Sequence, residues 1–480
     1  MPGLSSYERI YLGGRWHRPD GDPIVVISPH TGEPVATAAQ GGVADMDRAV
    51  DLARGAFDAG TWAQAPVADR LALVATLLER YRDRMDEMAT VISSENGSPL
   101  TFSQFGQTGA IPLLIDGFLE AARAFPWEGE VAGAFGSTRT WHEPVGVVAA
   151  VTAWNVPQLL IVAKLVPALL TGCSVVVKPA SESPLDALLL AEVVDEVGFP
   201  EGVVSIVPGG PDVGRHLVAH PGVDKVAFTG STAVGREIGS VCGQQIKRCS
   251  LELGGKSAAI VLDDADLART AAGLRFASFM NNGQACAAQT RVLAPRSRYG
   301  ETVDALAEAV SSFAVGDPLD LATEIGPLVS HRQRDRVDGY VAIGREEGAR
   351  VVVGGEAPPA ELRAGSYVMP TLFAGVDNAM RVAREEIFGP VLVVIPYDDE
   401  DDAVRIANDS DYGLGGSVWT ADKGHGLELA RRVRTGMFGI NGFGPDPAAP
   451  FGGYKASGIG REYGHAGIES FTETKAVHGA

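Results

Sequence analysis

Between Gly146 and Gly239, short apolar runs alternate with helical patterns, and this alternation restricts the fold more than any other feature of the chain. The run Gly146 to Val151 precedes the helical stretch Gln158 to Leu170. Val175 to Val177 precedes Pro184 to Val197, with Pro184 suited to a first helical turn. Val203 to Val207, Asp212 to Ala219, Lys225 to Phe228 and Thr232 to Gly239 repeat the theme. Short, wholly apolar strands separated by helices need cover on both faces, which predicts a parallel sheet in an α/β fold. A membrane span over Val145 to Val177 is excluded by Asn155, Gln158 and Lys164, and by the breakers Pro157, Pro167 and Gly172.

The 480 residues allow about three domains at roughly 150 residues each. Ahead of the βα units, Ile10 to Leu12, Ile24 to Ile27 and Pro34 to Ala39 read as short strands. Asp45 to Ala59 and Asp69 to Ser94 each carry helical spacing. After them comes a second α/β lobe. Its expected strands are Ala258 to Leu262, Arg350 to Val353, Val391 to Pro396, Gly415 to Thr420 and Met437 to Asn441. Its expected helices are Asp266 to Met280, Arg332 to Glu347, Glu400 to Asn408 and Gly424 to Val433. The acidic run Asp398 to Asp402 suits a helix start. Ala124 to Glu143 and Phe471 to His478 match neither lobe; as extended strands they would offer an edge to another subunit.

Charge and cysteine content narrow the partners. Forty Lys and Arg against 60 Asp and Glu give a net charge of −20, which repels nucleic acid and anionic lipid. The four cysteines, Cys173, Cys242, Cys249 and Cys286, make no disulfide framework and no CxxC pair. The nine histidines show no HExxH or other metal spacing, so no metal is expected. Met1 to Trp16 has no apolar core of leader length, and a reducing cytoplasm is the expected compartment.

In open α/β sheets ligands bind beyond the carboxyl ends of strands. Polar or glycine residues collect at five such ends: Asn155; Lys178; Gly209 and Gly210; Thr229, Gly230 and Ser231; and Glu252 before Gly254 and Gly255. They point to one crevice. Gly230, Ser231 and Gly235 open a helix whose free N–H groups would attract a pyrophosphate, although the spacing is not GxGxxG and an ordinary turn reads equally well. Cys286 sits among the small residues Gly283, Ala285 and Ala287, which leave room for an incoming carbon. It is a nucleophile or an inert buried thiol; the other three cysteines fit the inert role better.

Seven segments together carry a family resemblance. They are Ala-Trp-Asn-Val-Pro at 153–157, Val-Lys-Pro-Ala at 177–180, Phe-Thr-Gly-Ser at 228–231, Leu-Glu-Leu-Gly-Gly-Lys at 251–256, Gly-Gln-Ala-Cys at 283–286, Glu-Glu-Ile-Phe-Gly-Pro at 385–390 and Pro-Phe-Gly-Gly-Tyr-Lys at 450–455. In content and order the chain resembles the aldehyde dehydrogenase superfamily from end to end. The resemblance implies that Cys286 attacks an aldehyde, that the Asn155 amide and the Cys286 N–H hold the oxyanion, and that Glu252 activates the water that hydrolyses the thioester. It implies NAD or NADP as cofactor. Lys178 and Ser181 would lie at the adenosine ribose, and Gly210, Gly214, Gly230 and Ser231 along the adenine and phosphates. Glu386 would hold the nicotinamide ribose, with Phe388 and Trp154 beside the cleft. It further implies a Rossmann-like dinucleotide-binding domain (1–123 and 145–253), a catalytic domain (254–445) and a small β oligomerisation flap (124–144 and 465–480) in a homodimer or homotetramer.

Two departures bear on specificity. NAD-selective relatives often carry a glutamate where this chain has Ser181, so NAD is expected with NADP tolerated. By resemblance, Val156, Leu160, Ala287 and the loop Phe443 to Ala449 flank the substrate, and that loop has no Lys or Arg. An apolar aldehyde, aliphatic, terpenoid or aromatic, is therefore expected over a carboxylate-bearing one. Transfer of the acyl group to coenzyme A, and a non-catalytic use of the same fold, are the alternatives. The presence of Glu252, Asn155 and Cys286 weighs against both.

Overall fold

The computed structural model describes residues 4–134 and 136–478, so positions 135, 479 and 480 of the expected flap lie outside it. Two large sheets organise the chain. The first has eight strands in the spatial order Arg15–His17, Ile10–Leu12, Val204–Ile206, Ser174–Lys178, Val147–Val151, Lys225–Thr229, Arg248–Glu252 and Gly458–Ile459. Its five central strands are parallel, and strand order reverses beside Val147–Val151. That reversal opens a crevice at the carboxyl ends, where connecting helices depart to opposite faces.

Residue alternation explains the cover on both faces. Val148, Ala150, Val175 and Val177 enter a core built with helices Pro157–Thr171, Leu185–Val197, Val67–Arg82 and Ala110–Ala124. Val147, Ala149 and Val176 enter the opposite core, built with Val43–Asp58, Pro211–Ala219 and Thr232–Gln245. The second sheet has seven strands, ordered Arg350–Val353, Thr371–Ala374, Val391–Tyr397, Arg291–Pro295, Ala258–Val261, Gly416–Trp419 and Gly439–Ile440. A third, of three antiparallel strands, joins Thr472–His478 to Gly136–Pro144 and Glu128–Gly133.

The structure departs from the sequence expectations in several places. The sheets are not purely parallel. Ile10–Leu12 and Arg15–His17 are joined by Gly13-Gly14 with φ of 55° and 96°, a two-residue turn that only an antiparallel pair can use. Arg350–Val353 and Gly458–Ile459 are also antiparallel edges. The expected helix Asp69 to Ser94 is two helices, Val67–Arg82 and Met85–Asn96. Arg84 between them bonds Glu87 and Glu192, at 2.7 and 2.9 Å, and Asp86 and Glu87 favour a new N-terminus there. Pro184 stands at the cap position, one residue before its helix. Strands Arg291–Pro295 and Thr371–Ala374 and helices Ala110–Ala124 and Tyr299–Ser311 are additional to those expected. Among the described residues no helix is long and apolar enough to cross a membrane.

Phe118, fully buried on Ala110–Ala124, meets Tyr463 edge-on at 6.5 Å and ties that helix to the C-terminal segment. Phe118→Ala should destabilise the folded chain by about 3–5 kcal/mol, the usual range for an emptied aromatic site, read as an earlier denaturant midpoint.

Candidate active site

Cys286 follows a 3₁₀ turn, Met280–Gly283, whose backbone is unusual. Asn281, Asn282 and Gly283 have φ of 52°, 60° and 72°. The asparagine amides hold that shape. Asn282 donates to the Gly97 and Pro327 carbonyls, both at 2.9 Å, and accepts from Gly326 N–H at 2.7 Å. Asn281 donates to the Asn155 carbonyl at 2.8 Å. A side chain at Gly283 would place Cβ 2.2 Å from the Gly389 carbonyl oxygen, so the turn packs directly on the segment after Phe388.

Asn155 leaves the central strand at the sheet's reversal, 4% exposed. Its amide donates to the Gln284 carbonyl at 3.0 Å, and among the described residues its second N–H has no acceptor. Half-buried Cys286 has its thiol pKa pushed up to about 12, first by burial and then by Glu386 and Glu252. The resting group is therefore a thiol.

Glu252 ends strand Arg248–Glu252, 3% exposed, with both carboxylate oxygens unpartnered. Burial and the nearby Glu462 carboxylate raise its pKa well above the usual value, against the opposing cations Lys164 and Arg461. Lys164, fully buried, donates to Glu462 at 2.7 Å and to Thr229 Oγ1 at 2.6 Å. Glu252 is thus a buried carboxyl that resists ionisation, with a buried ammonium–carboxylate pair behind it, which makes it a candidate for proton transfer. Neither Lys164 nor Glu462 was expected in the site. Lys164 was legible as a lone cation in an otherwise apolar helix, where burial demands a partner; nothing marked Glu462.

A cavity of about 840 Å³ runs along the strand ends. Trp154, Asn155, Lys178, Ser181, Gly214, Gly230, Ser231, Cys286, Glu386 and Phe388 line it. Gly210 and Glu252 are not in that lining; Gly210 caps helix Pro211–Ala219, whose first residue, Pro211, is in it. At one end Lys178 lies along Gly214, where a Cβ would sit 3.2 Å from its Cδ, and donates to the Pro179 carbonyl at 3.0 Å. Its pKa is lowered to about 8 by burial. Ser181 is tied to the Gly209 carbonyl at 3.1 Å. In the middle, Ser231 caps the 14-residue helix Thr232–Gln245, whose first N–H groups favour an anion. At the far end Glu386 accepts from Gly255 N–H at 3.0 Å, its pKa pushed up to about 6 by burial. Phe388, with φ of 65°, meets Trp154 edge-on at 5.4 Å. Buried Thr152 Oγ1, also in the lining, has no partner. This sequence of cation, helix start and carboxylate fits an extended dinucleotide. Arg332, Gln333 and Arg336 line it too and were not foreseen.

A second cavity, about 570 Å³, is lined by Met437, Phe438, Phe443, Pro445, Ala449 and Phe451, with Asp446 as its one charged residue. Met437, Phe443 and Phe451 of this lining belong to the same apolar cluster as Ala287, Leu159 and Cys286.

The histidines hold one feature that the sequence expectation passed over. His216 and His220, four residues apart, both approach Asp47, at 2.5 and 3.3 Å. Gly222 N–H donates to His220 Nδ1 at 3.0 Å, which leaves the proton on Nε2 facing Asp47. The group is built as a hydrogen-bonded bridge between helices.

Residues 16–477 match the aldehyde dehydrogenase family. The chain belongs to that family. It is an NAD(P)-dependent aldehyde dehydrogenase. It is 45% identical to a geranial dehydrogenase of Castellaniella defragrans, over 98% of each chain. A Mycobacterium tuberculosis aldehyde dehydrogenase solved with NAD+ is 49% identical, with a TM-score of 0.97 over 99% of this chain and 98% of that one. A mutant Pseudomonas syringae aldehyde dehydrogenase C solved with NAD+ and octanal is 39% identical, with a TM-score of 0.95 over 98% and 96%. The enzyme thus has the expected α/β aldehyde dehydrogenase fold.

If Glu252 acts as the base, its neighbours should set the acid limb of kcat. The Glu462 charge raises its pKa and Lys164 lowers it. Glu462→Gln should therefore move the limb to lower pH and Lys164→Met to higher pH, measured as pH profiles of kcat.

Proposed function

We propose that the enzyme oxidises apolar aldehydes, aliphatic, terpenoid or aromatic, to carboxylic acids, with NAD preferred and NADP tolerated. The observation that carries this reading is a second cavity lined without Lys or Arg, whose Met437, Phe443 and Phe451 share an apolar cluster with Cys286 in the lining of the larger cavity. A carboxylate-bearing substrate would meet Asp446 there without a compensating cation. The relative acting on geranial, and the one holding octanal, agree with an apolar substrate.

In this mechanism Cys286 gives its proton to Glu252, which passes it to solvent, as the sulfur attacks the carbonyl carbon. The free Asn155 N–H and the Cys286 backbone N–H hold the developing oxyanion, a role typically worth about 3 kcal/mol per donor. Trp154, Lys178, Ser181, Gly210, Gly214, Gly230, Ser231, Glu386 and Phe388 would hold NAD or NADP, which would supply the hydride acceptor when bound. The residue left on Cys286 is a thioester. Glu252 takes a proton from water, the resulting hydroxide adds to the thioester carbonyl, and the Cys286 thiolate leaves. Lys164 and Glu462 hold the charge balance behind Glu252. Domains 1–123 with 145–253, 254–445, and 124–144 with 465–480 remain our division of the chain. The solvent-facing strand Glu128–Gly133 is the proposed edge for assembly into a homodimer or homotetramer, and the four free cysteines suit a cytoplasmic enzyme.

Reduced cofactor formation on an aldehyde panel tests this. Octanal or geranial should exceed succinate semialdehyde in kcat/KM, and the reverse order would overturn the substrate assignment. Cys286→Ala should lose at least about a thousandfold in kcat while still binding NAD. Ser181→Glu should lower the NADP-to-NAD ratio of kcat/KM about tenfold or more by repelling a 2′-phosphate; an unchanged ratio removes Ser181 from cofactor choice.

A further inference from the structure

Four basic and three acidic side chains line the cavity of about 840 Å³, in a chain whose net charge is −20. Two of the basic groups are held locally. Arg215 bonds Asp212, three residues away, at 2.9 Å. Arg336 donates to the Glu386 carbonyl at 2.6 Å. Arg332 behaves differently. Its Nη2 reaches from the second lobe to Glu182 Oε1 of the first, at 2.8 Å, and both residues belong to the cavity lining. The Arg332 side chain is 84% exposed and that of Glu182 27%.

Helix stability does not account for a cation at this place. Arg332 is the second residue of helix His331–Glu346, whose first turn holds no acid. The N-terminal end of a helix dipole disfavours positive charge. Gln333 and Arg336 already anchor this helix, through the Phe388 carbonyl at 2.8 Å and the Glu386 carbonyl. Arg332 takes no part in that anchor. Among the described residues Glu182 is its one partner, so its other guanidinium N–H groups have no acceptor. Glu182 follows Ser181 directly, and its charge also acts on Lys178. An unpaired carboxylate there would repel a phosphate on the adenosine ribose; the guanidinium cancels that charge.

We infer that Arg332 reads the 2′-phosphate of NADP, and that Glu182 holds the guanidinium ready until that phosphate takes its place. The inference rests on the adenosine ribose lying at Lys178 and Ser181. A guanidinium suits the task, because its planar fork grips phosphate oxygens two at a time. An exposed ion pair contributes little to stability, so Arg332 can exchange one anion for another readily. NAD lacks the phosphate and leaves the pair intact. Glu182 then opposes NADP and Arg332 favours it, so a pair drawn from both lobes sets the preference together with Ser181.

The test is calorimetric titration of the full-length enzyme with NAD and with NADP, with no aldehyde present, so that it reads binding without turnover. Arg332→Gln should raise the NADP-to-NAD ratio of Kd about fivefold or more. Glu182→Gln should lower that ratio, because it removes the repulsion and releases the guanidinium. An unchanged ratio in Arg332→Gln would overturn the inference. So would equal weakening of both cofactors, which marks a strap over the whole dinucleotide, or a shift in the same direction for both variants, which marks a merely structural pair. Lys178→Met separates this inference from the ribose placement beneath it, and should raise both Kd values. If it leaves them unchanged, the placement fails and the inference falls with it; if it raises them while Arg332→Gln leaves the ratio unmoved, the inference alone fails.

Discussion

Cys286 is held against the first lobe by a turn whose backbone would not form alone. Two asparagines and a glycine in the left-handed region cost on the order of 1 kcal/mol or more for each non-glycine residue. The asparagine side chains offset this through hydrogen bonds to Asn155, Gly97, Pro327 and Gly326, each with a net worth of about 1 kcal/mol. These partners come from both lobes. The contact that shapes the turn therefore also joins the lobes, and it fixes the thiol relative to the Asn155 amide.

Burial does the rest of the tuning. Glu252, Glu386 and Cys286 are all acids withdrawn from water, and all three resist ionisation. Were all three charged, their repulsion would add to the desolvation cost. Lys164 is the counterweight. It is buried because its helix, Pro157–Thr171, is buried almost throughout, so its ammonium needs Glu462 and Thr229.

Much of this was legible in the sequence. The βα alternation gave the parallel centre of both sheets, because short apolar strands have no other stable setting. Asn155, Lys178 and Gly230 were found as strand-end residues, and the structure brings them to one cavity. Edges were not legible. Gly458–Ile459 is two residues long and pairs with Arg248–Glu252 across some two hundred positions, so no local pattern announces it. Arg84 breaks a helix through partners distant in sequence, including Glu192. Glu462 looked like any surface carboxylate, since its burial depends on Lys164 nearly three hundred residues away.

The C-terminal segment shows why such distant pairings matter to the chemistry. Leu253 N–H bonds the Ser457 carbonyl, and Ser457 Oγ donates to the Gly254 carbonyl at 2.7 Å. A Cβ at Gly452 would lie 2.7 Å from Glu252 Oε1, so only a glycine admits the carboxylate there. Glu462 then supplies the acceptor for Lys164 from the same segment. The strand carrying Glu252 thus supplies one wall of its pocket, and the stretch from Gly452 to Glu462 supplies another. Until that late segment docks, Lys164 has no carboxylate, Glu252 remains open to water, and its raised proton affinity has no cause. The raised proton affinity of Glu252 is a property of the docked chain end as much as of the glutamate itself.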